Sequence, residues 1–134
     1  MRFILILICL VEAASICQVR ADDCASSASQ TDMNLCEDAA LKRADAELNK
    51  TYQEILERLK DSQETKQLLV ASQRLWVRFR DAECAFTASG VEGGSIYPTI
   101  LLNCRSTITE NRVKELGVYL KCEEGDLACP VPAK

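Results

Sequence analysis

The sequence predicts an all-α protein, an antiparallel bundle of three main helices stapled by disulfides, with a glycine-rich loop between the second and third. Three observations carry that prediction. Gly and Pro are absent from Cys24 to Ser89, so only a polar turn interrupts helix formation there. Apolar residues recur at three- and four-residue spacing on both sides of that turn, the signature of amphipathic helices. Six cysteines, Cys24, Cys36, Cys84, Cys104, Cys122 and Cys129, remain beyond an apolar N-terminal leader.

The leader, "MRFILILICLVEAASICQVRA", has an early Arg2, an apolar run from Phe3 to Val11, and Val19 and Ala21 at the −3 and −1 positions of a cleavage site. Residues 1–21 therefore read as a signal peptide. The run is shorter than the roughly 20 residues of a membrane span. The remainder, 22–134, reads as a single helical domain with a short cysteine-containing tail at 122–134, exported to the periplasm or secreted. In an oxidising compartment six cysteines imply three disulfides, with 15 possible connectivities.

Charge and composition remove several function classes. The net charge is −4; loss of Arg2, Arg20 and Glu12 with the leader takes it to −5. An acidic surface disfavours nucleic acid and anionic membranes and suits a basic partner. There is no His and no C-x-x-C pair, which removes the commonest general base, the triads built on it and the usual zinc donors. No metal and no other cofactor is implied.

Helix 1 is expected over about 32–60, with Leu41, Ala44, Leu48, Tyr52, Ile55 and Leu59 as its apolar stripe. Asp61-Ser-Gln-Glu64 reads as a capping box that opens helix 2, expected over about 62–88. Leu68, Leu75, Phe79, Ala82 and Phe86 form its core stripe; Leu69, Gln73, Trp76, Arg80 and Cys84 lie on the neighbouring stripe as a flank. Arg74, Arg78 and Asp81 are assigned to the wet side. "SGVEGGSIYP" is a loop, 89–97, since three of the five glycines fall in it. Helix 3 follows over about 98–121, with Thr107-Ile-Thr-Glu110 as a place where it breaks or restarts. The tail closes a small Cys122–Cys129 loop and then frays.

Among the connectivities, Cys84–Cys104 is preferred because the two residues flank the glycine loop on adjacent helices. Cys24–Cys36 and Cys122–Cys129 follow as local links. Cys36–Cys84 with Cys24–Cys104 is the alternative, because the start of helix 1 lies near the end of helix 2 in such a bundle.

"DAELNKTY" (45–52), "SQRLWVRFRDAEC" (72–84), "GGS" (93–95), Cys104 and "TENRVKEL" (109–116), in this order, resemble the LprI-like lysozyme-inhibitor domain of exported bacterial proteins. The resemblance runs from about Cys24 to Leu120 and leaves the tail outside. It implies a small helical exported protein and, from the family's namesake activity, inhibition of lysozyme, a cell-wall hydrolase.

The matched residues Asp45, Asn49, Tyr52, Gln73, Trp76, Arg80 and Arg112 read physically as scaffold: a semi-buried Asp45–Arg80 pair with Arg112 nearby. Glu92, Gly93, Gly94, Ser95 and Tyr97 are the candidate partner-binding loop, tethered by Cys84 and Cys104, with a basic lysozyme-type hydrolase as the partner it suits. The alternative function is an envelope protein-interaction module or immunity-like partner without inhibitory activity, using the face around Arg74, Arg78 and Asp81. Carboxylate-only glycosidase chemistry has Glu83, Glu92 and Glu110 as nominal candidates, but each reads better as solvated surface or helix cap, so the sequence is read as that of a non-enzyme.

Overall fold

The computed structural model describes residues 21–133. The expected signal peptide lies, but for Ala21, outside them. A 3-10 turn at Ala21–Ser26 leads into α1, Gln30–Arg58. Ser29 caps α1: its hydroxyl accepts from the Asp32 backbone N–H at 3.2 Å and donates to the Asp32 carboxylate at 2.7 Å. This gives orphan first-turn groups a partner. The start is two residues earlier than the apolar periodicity suggests, because the cap is polar.

Leu59 ends α1, and Ser62 N–H donates to the Leu59 carbonyl at 3.0 Å to close the turn. α2 spans Gln63–Ala88. Its N-cap is Ser62, which makes no side-chain capping bond, so the capping box read at Asp61 does not form. After a second 3-10 turn at Ser89–Val91, α3 runs from Tyr97 to Tyr119 with Pro98 in its first turn, where the missing N–H costs nothing. α3 passes through Thr107–Glu110 without a break, because Thr109 is fully buried and bonded rather than capping.

Pairwise contacts fix the directions. Asp45 meets Arg80, Thr109 meets Arg80, and Arg112 meets Gln73, so α2 runs against both neighbours. Glu37 meets Asn103 and Arg58 meets the Leu120 carbonyl, so α1 and α3 run together. The bundle is up-down-up.

α3 is the central element, with its closest backbone approach to α1. The buried stripe of α1 is Glu37, Ala40, Ala44, Leu48, Thr51 and Ile55, and that of α3 is Ser106, Thr109 and Leu116. Small side chains on both let the two backbones come close. The apolar core is concentrated at one end, in Leu48, Ile55, Leu59, Leu116 and Val131, with Leu69, Trp76 and Val113 against it.

Two expectations are corrected here. The tail does not fray: Val131 is only 4% exposed and belongs to the core. The Cys122–Cys129 link, the positive φ of Gly125 and an Asp126 turn, in which Ala128 N–H donates to the Asp126 carboxylate at 2.9 Å, fold the chain back on itself.

The larger correction concerns α2. Its inward face is Leu69, Gln73, Trp76, Arg80, Cys84 and Ala88, whereas the stripe assigned to the core points outward: Leu68 is 67% exposed, Leu75 64%, Phe79 56% and Phe86 76%. The cause is covalent and electrostatic. Cys84 must face Cys104, and Arg80 must face Asp45 and Thr109, and together they set the rotation of the helix.

Candidate functional site

Three disulfides close: Cys24–Cys36 and Cys84–Cys104, each with Cα atoms 5.6 Å apart, and Cys122–Cys129 at 5.8 Å. Cys36 is bonded to Cys24, so the alternative Cys36–Cys84 pairing is absent. Cys84–Cys104 ties the end of α2 to the start of α3 just below the glycine loop. Among the described residues no group of three or more His, Cys, Asp or Glu is arranged to hold a metal ion, and no helix is long and apolar enough to cross a membrane.

The structure gathers most of the sequence-motif residues into one cluster. The Arg80 guanidinium donates through Nη1 to Asp45 at 3.0 Å and to the Thr109 hydroxyl at 3.1 Å, and through Nε to Asp81 at 3.2 Å. Its carbon lies 5.4 Å from the Trp76 ring centroid, and that of Arg112 lies 5.8 Å away. Arg112 in turn donates to Gln73 at 3.1 Å and to Glu115 at 2.9 Å. Trp76 is therefore held by two cations, one from its own helix at the i+4 position and one from α3. Both guanidiniums are largely covered, at 13% and 14% exposure, and each has a carboxylate, so neither charge is buried alone.

Asp81, assigned to the wet side, is instead part of this cluster; besides Arg80 it lies 3.3 Å from Arg105 Nε, an ion pair without hydrogen-bond alignment. Thr109 was missed as a member, although it opens the "TENRVKEL" motif. Tyr52 packs against the core. Asn49 stands apart on the exposed side of α1. These bonds tie α2 to α1 and α3, and the two aspartates of the cluster stay partly open to solvent.

At the opposite end from the apolar core, α1 and α3 meet through polar side chains. Gln30 and Asn34 bond to Thr99, and Asn103 donates to both Glu37 carboxylate oxygens at 3.2 and 3.3 Å. Glu37 is 4% exposed. Burial pushes its carboxyl above the usual glutamate value, and the Asn103 hydrogen bond partly opposes that.

The loop above this end is a chain of tight turns: Glu92 N–H to Ser89 O, Gly94 N–H to Val91 O at 3.0 Å, and Tyr97 N–H to Gly94 O at 3.1 Å. Gly93 has φ +79°, which an L side chain rarely adopts, and a Cβ on Gly94 would lie 3.1 Å from the Val91 carbonyl. Glu92, Gly93, Gly94 and Ser95 are exposed and Tyr97 is half-buried at the start of α3. The loop is thus ordered by its own backbone and projects no core residue. Glu83 and Glu110 are exposed on the outer faces of α2 and α3.

Comparison with known families covers most of this arrangement. The family model described as "Lysozyme inhibitor LprI" matches residues 21–116. The chain belongs to this family. A relative in Rhizobium meliloti, itself described as uncharacterised, is 29% identical over 130 residues, covering 89% of this chain and 93% of the relative. No solved structure matches. The LprI match takes in α1, α2, α3 as far as Leu116 and the Trp76 cluster and stops short of Val131, so the tail that completes the core lies outside it.

Proposed function

We propose that this LprI-family protein is exported to the periplasm or secreted and binds a basic cell-wall hydrolase of the lysozyme class, inhibiting it by seating the 92–97 loop in or over the substrate cleft. Family membership is the observation that supports this reading most strongly. The loop's order adds to it, since a segment already fixed by three turn hydrogen bonds and anchored by Cys84–Cys104 has little entropy left to lose on binding. Ser95 and Tyr97 would offer hydroxyls to a sugar-binding cleft, and Glu92 would meet a basic rim. On this reading the protein binds and blocks and has no catalytic group of its own.

The test is titration of lysozyme activity with the mature, oxidised protein and with the Ser95→Ala/Tyr97→Ala variant. Inhibition by the wild type that weakens at least tenfold in a variant with unchanged circular dichroism supports the loop. Equal inhibition by both moves the contact off the loop, and no inhibition across lysozyme types removes the reading. The exposed apolar side of α2 favours a second reading, an envelope interaction module or immunity-like partner without inhibitory activity. A stoichiometric partner that is not a hydrolase, captured by the mature protein, would support it.

A further inference from the structure

The outward face of α2 is more regular than exposed apolar residues need to be. Leu68, Ser72, Leu75, Phe79, Ala82 and Phe86 follow one another at intervals of four, three, four, three and four, and all six are exposed. That is an a/d heptad seam running most of the 26-residue helix. Most of it lies away from α1 and α3. At its N-terminal end Ser72 accepts from Arg112 of α3 at 3.4 Å and, with Leu68, borders the groove lined by Leu59, Leu69 and Val131, and no described element covers the strip. Four Leu and Phe side chains, each more than half exposed in a line, make an apolar strip of roughly 400–500 Å², at the upper end of what a monomeric protein shows.

We propose that a second copy of this chain covers the seam, giving a two-fold dimer in which the two α2 helices pair in parallel. Area and charge both point to this occupant. With its flanks, a seam of this length buries on the order of 600–800 Å² per chain, close to the lower bound for a specific interface. Two-fold parallel pairing sets each residue opposite its own copy, so Phe79 meets Phe79 and Phe86 meets Phe86 in aromatic pairs, with Ser72 and Ala82 leaving room beside them.

The charges flanking the seam choose the direction. Arg78 precedes the Phe79 position and Glu83 follows the Ala82 position; both are exposed and neither has a partner among the described residues. In a parallel pair, the residue before one a position faces the residue five further along the other helix. Arg78 of each copy therefore faces Glu83 of the other, twice across the axis. In the antiparallel register that would match Leu75 with Phe79, Arg78 faces Arg78. Like charges oppose that register and opposite charges support the parallel one.

Sedimentation of the mature, disulfide-bonded protein from about 1 to 500 μM tests the proposal without any hydrolase, so its outcome is independent of the inhibitor reading. A mass that doubles with micromolar affinity is expected, and a chain that stays monomeric at the highest concentration overturns the proposal. Phe79→Glu should fold normally, because Phe79 makes no core contact, and should weaken dimerisation at least 100-fold; a dimer unaffected by it lies on another face and overturns the assignment. Arg78→Glu and Glu83→Arg should each weaken self-association, while an equimolar mixture of the two should form the heterodimer about as well as wild type pairs with itself. Failure of the mixture to associate overturns the parallel register. A wild type that is monomeric alone but loses capture of a different protein in Phe79→Glu assigns the seam to that partner instead.

Discussion

α1 and α2 both pack on α3, and they are built on opposite rules. α1 offers a stripe of mainly small or aliphatic side chains, Ala40, Ala44, Leu48, Thr51 and Ile55, and its backbone approaches α3 closely. α2 offers Gln73, Trp76 and Arg80, stands further off, and is held by a disulfide, a guanidinium network and two cation–π contacts. The first interface is held mainly by burial and close packing, with hydrogen bonds at the loop end, so its outer side is free to be polar. The second is held by directional bonds, so α2 has no need to turn its most apolar side inward, and that side is left for another surface. In this bundle, strength of attachment and hydrophobicity of the attached face are separate properties.

The largest effects should separate buried from outward leucines. Leu116→Ala, at a fully buried site, is expected to cost about 2–5 kcal/mol through lost burial and a residual cavity. Leu75→Ala, 64% exposed, should stay within about 0.5 kcal/mol at dilute, sub-micromolar chain concentration. Urea unfolding of both checks this, and similar losses would mean α2 is not rotated as described.

Removing the covalent tie comes next. The Cys84→Ser/Cys104→Ser variant opens a link with a sequence separation of 20 and should lose about 3 kcal/mol in the chain-entropy model. The loss should appear as a lower thermal midpoint with α1 and α3 still helical by circular dichroism.

The directional attachment of α2 should be visible in its arginines. Arg80→Ala leaves Asp45, Asp81 and Thr109 without their shared donor and is expected to cost about 1–3 kcal/mol, less than a fully buried pair because Asp45 and Asp81 remain 42% exposed. Arg78→Ala, outside the cluster, should stay within about 0.5 kcal/mol. Equal thermal midpoints at low concentration would remove the network as the anchor of α2.

The smallest effect belongs to the α1–α3 side and has the opposite sign. Burial raises the Glu37 carboxyl in the folded protein, so its charged form is the disfavoured one. The stability this group contributes is fully present below the ordinary glutamate value and is lost as pH rises through the raised folded value. Glu37→Gln keeps the shape and a partner for Asn103. It should raise the thermal midpoint modestly at pH 7, with the gain fading as pH falls into the ordinary carboxylate range. A less stable variant at pH 7 would mean that the carboxylate's bonds to Asn103 outweigh its burial.

How much was legible in the sequence differs between the two interfaces for the same reason. On α1 the apolar spacing of Ala44, Leu48, Ile55 and Leu59 marked the side that is buried, because the Glu37–Asn103 bonds lie on the same stripe and turn it the same way. On α2 the same method selected Leu68, Leu75, Phe79 and Phe86 and put the inward side on the flank. The signal for the true orientation was nevertheless present: Cys84 shares a stripe with Trp76 and Arg80, and a cysteine that bonds to α3 has to face it. Glu37, Asn103 and Thr109 were passed over because a polar residue on a helix stripe looks solvated until a partner from another helix is seen beside it.

By itself, the sequence determined that there would be three helices, where the loop between the second and third lies, and which cysteines are close enough in the chain to bond locally, since propensity, periodicity and loop length are local properties. Only the tertiary structure decided which side of α2 faces inward, that Asp81 joins Arg80 and Arg105, and that Val131 returns to complete the core. Those depend on contacts between residues tens of positions apart, where a covalent bond and a shared guanidinium outweigh the pull of an apolar stripe.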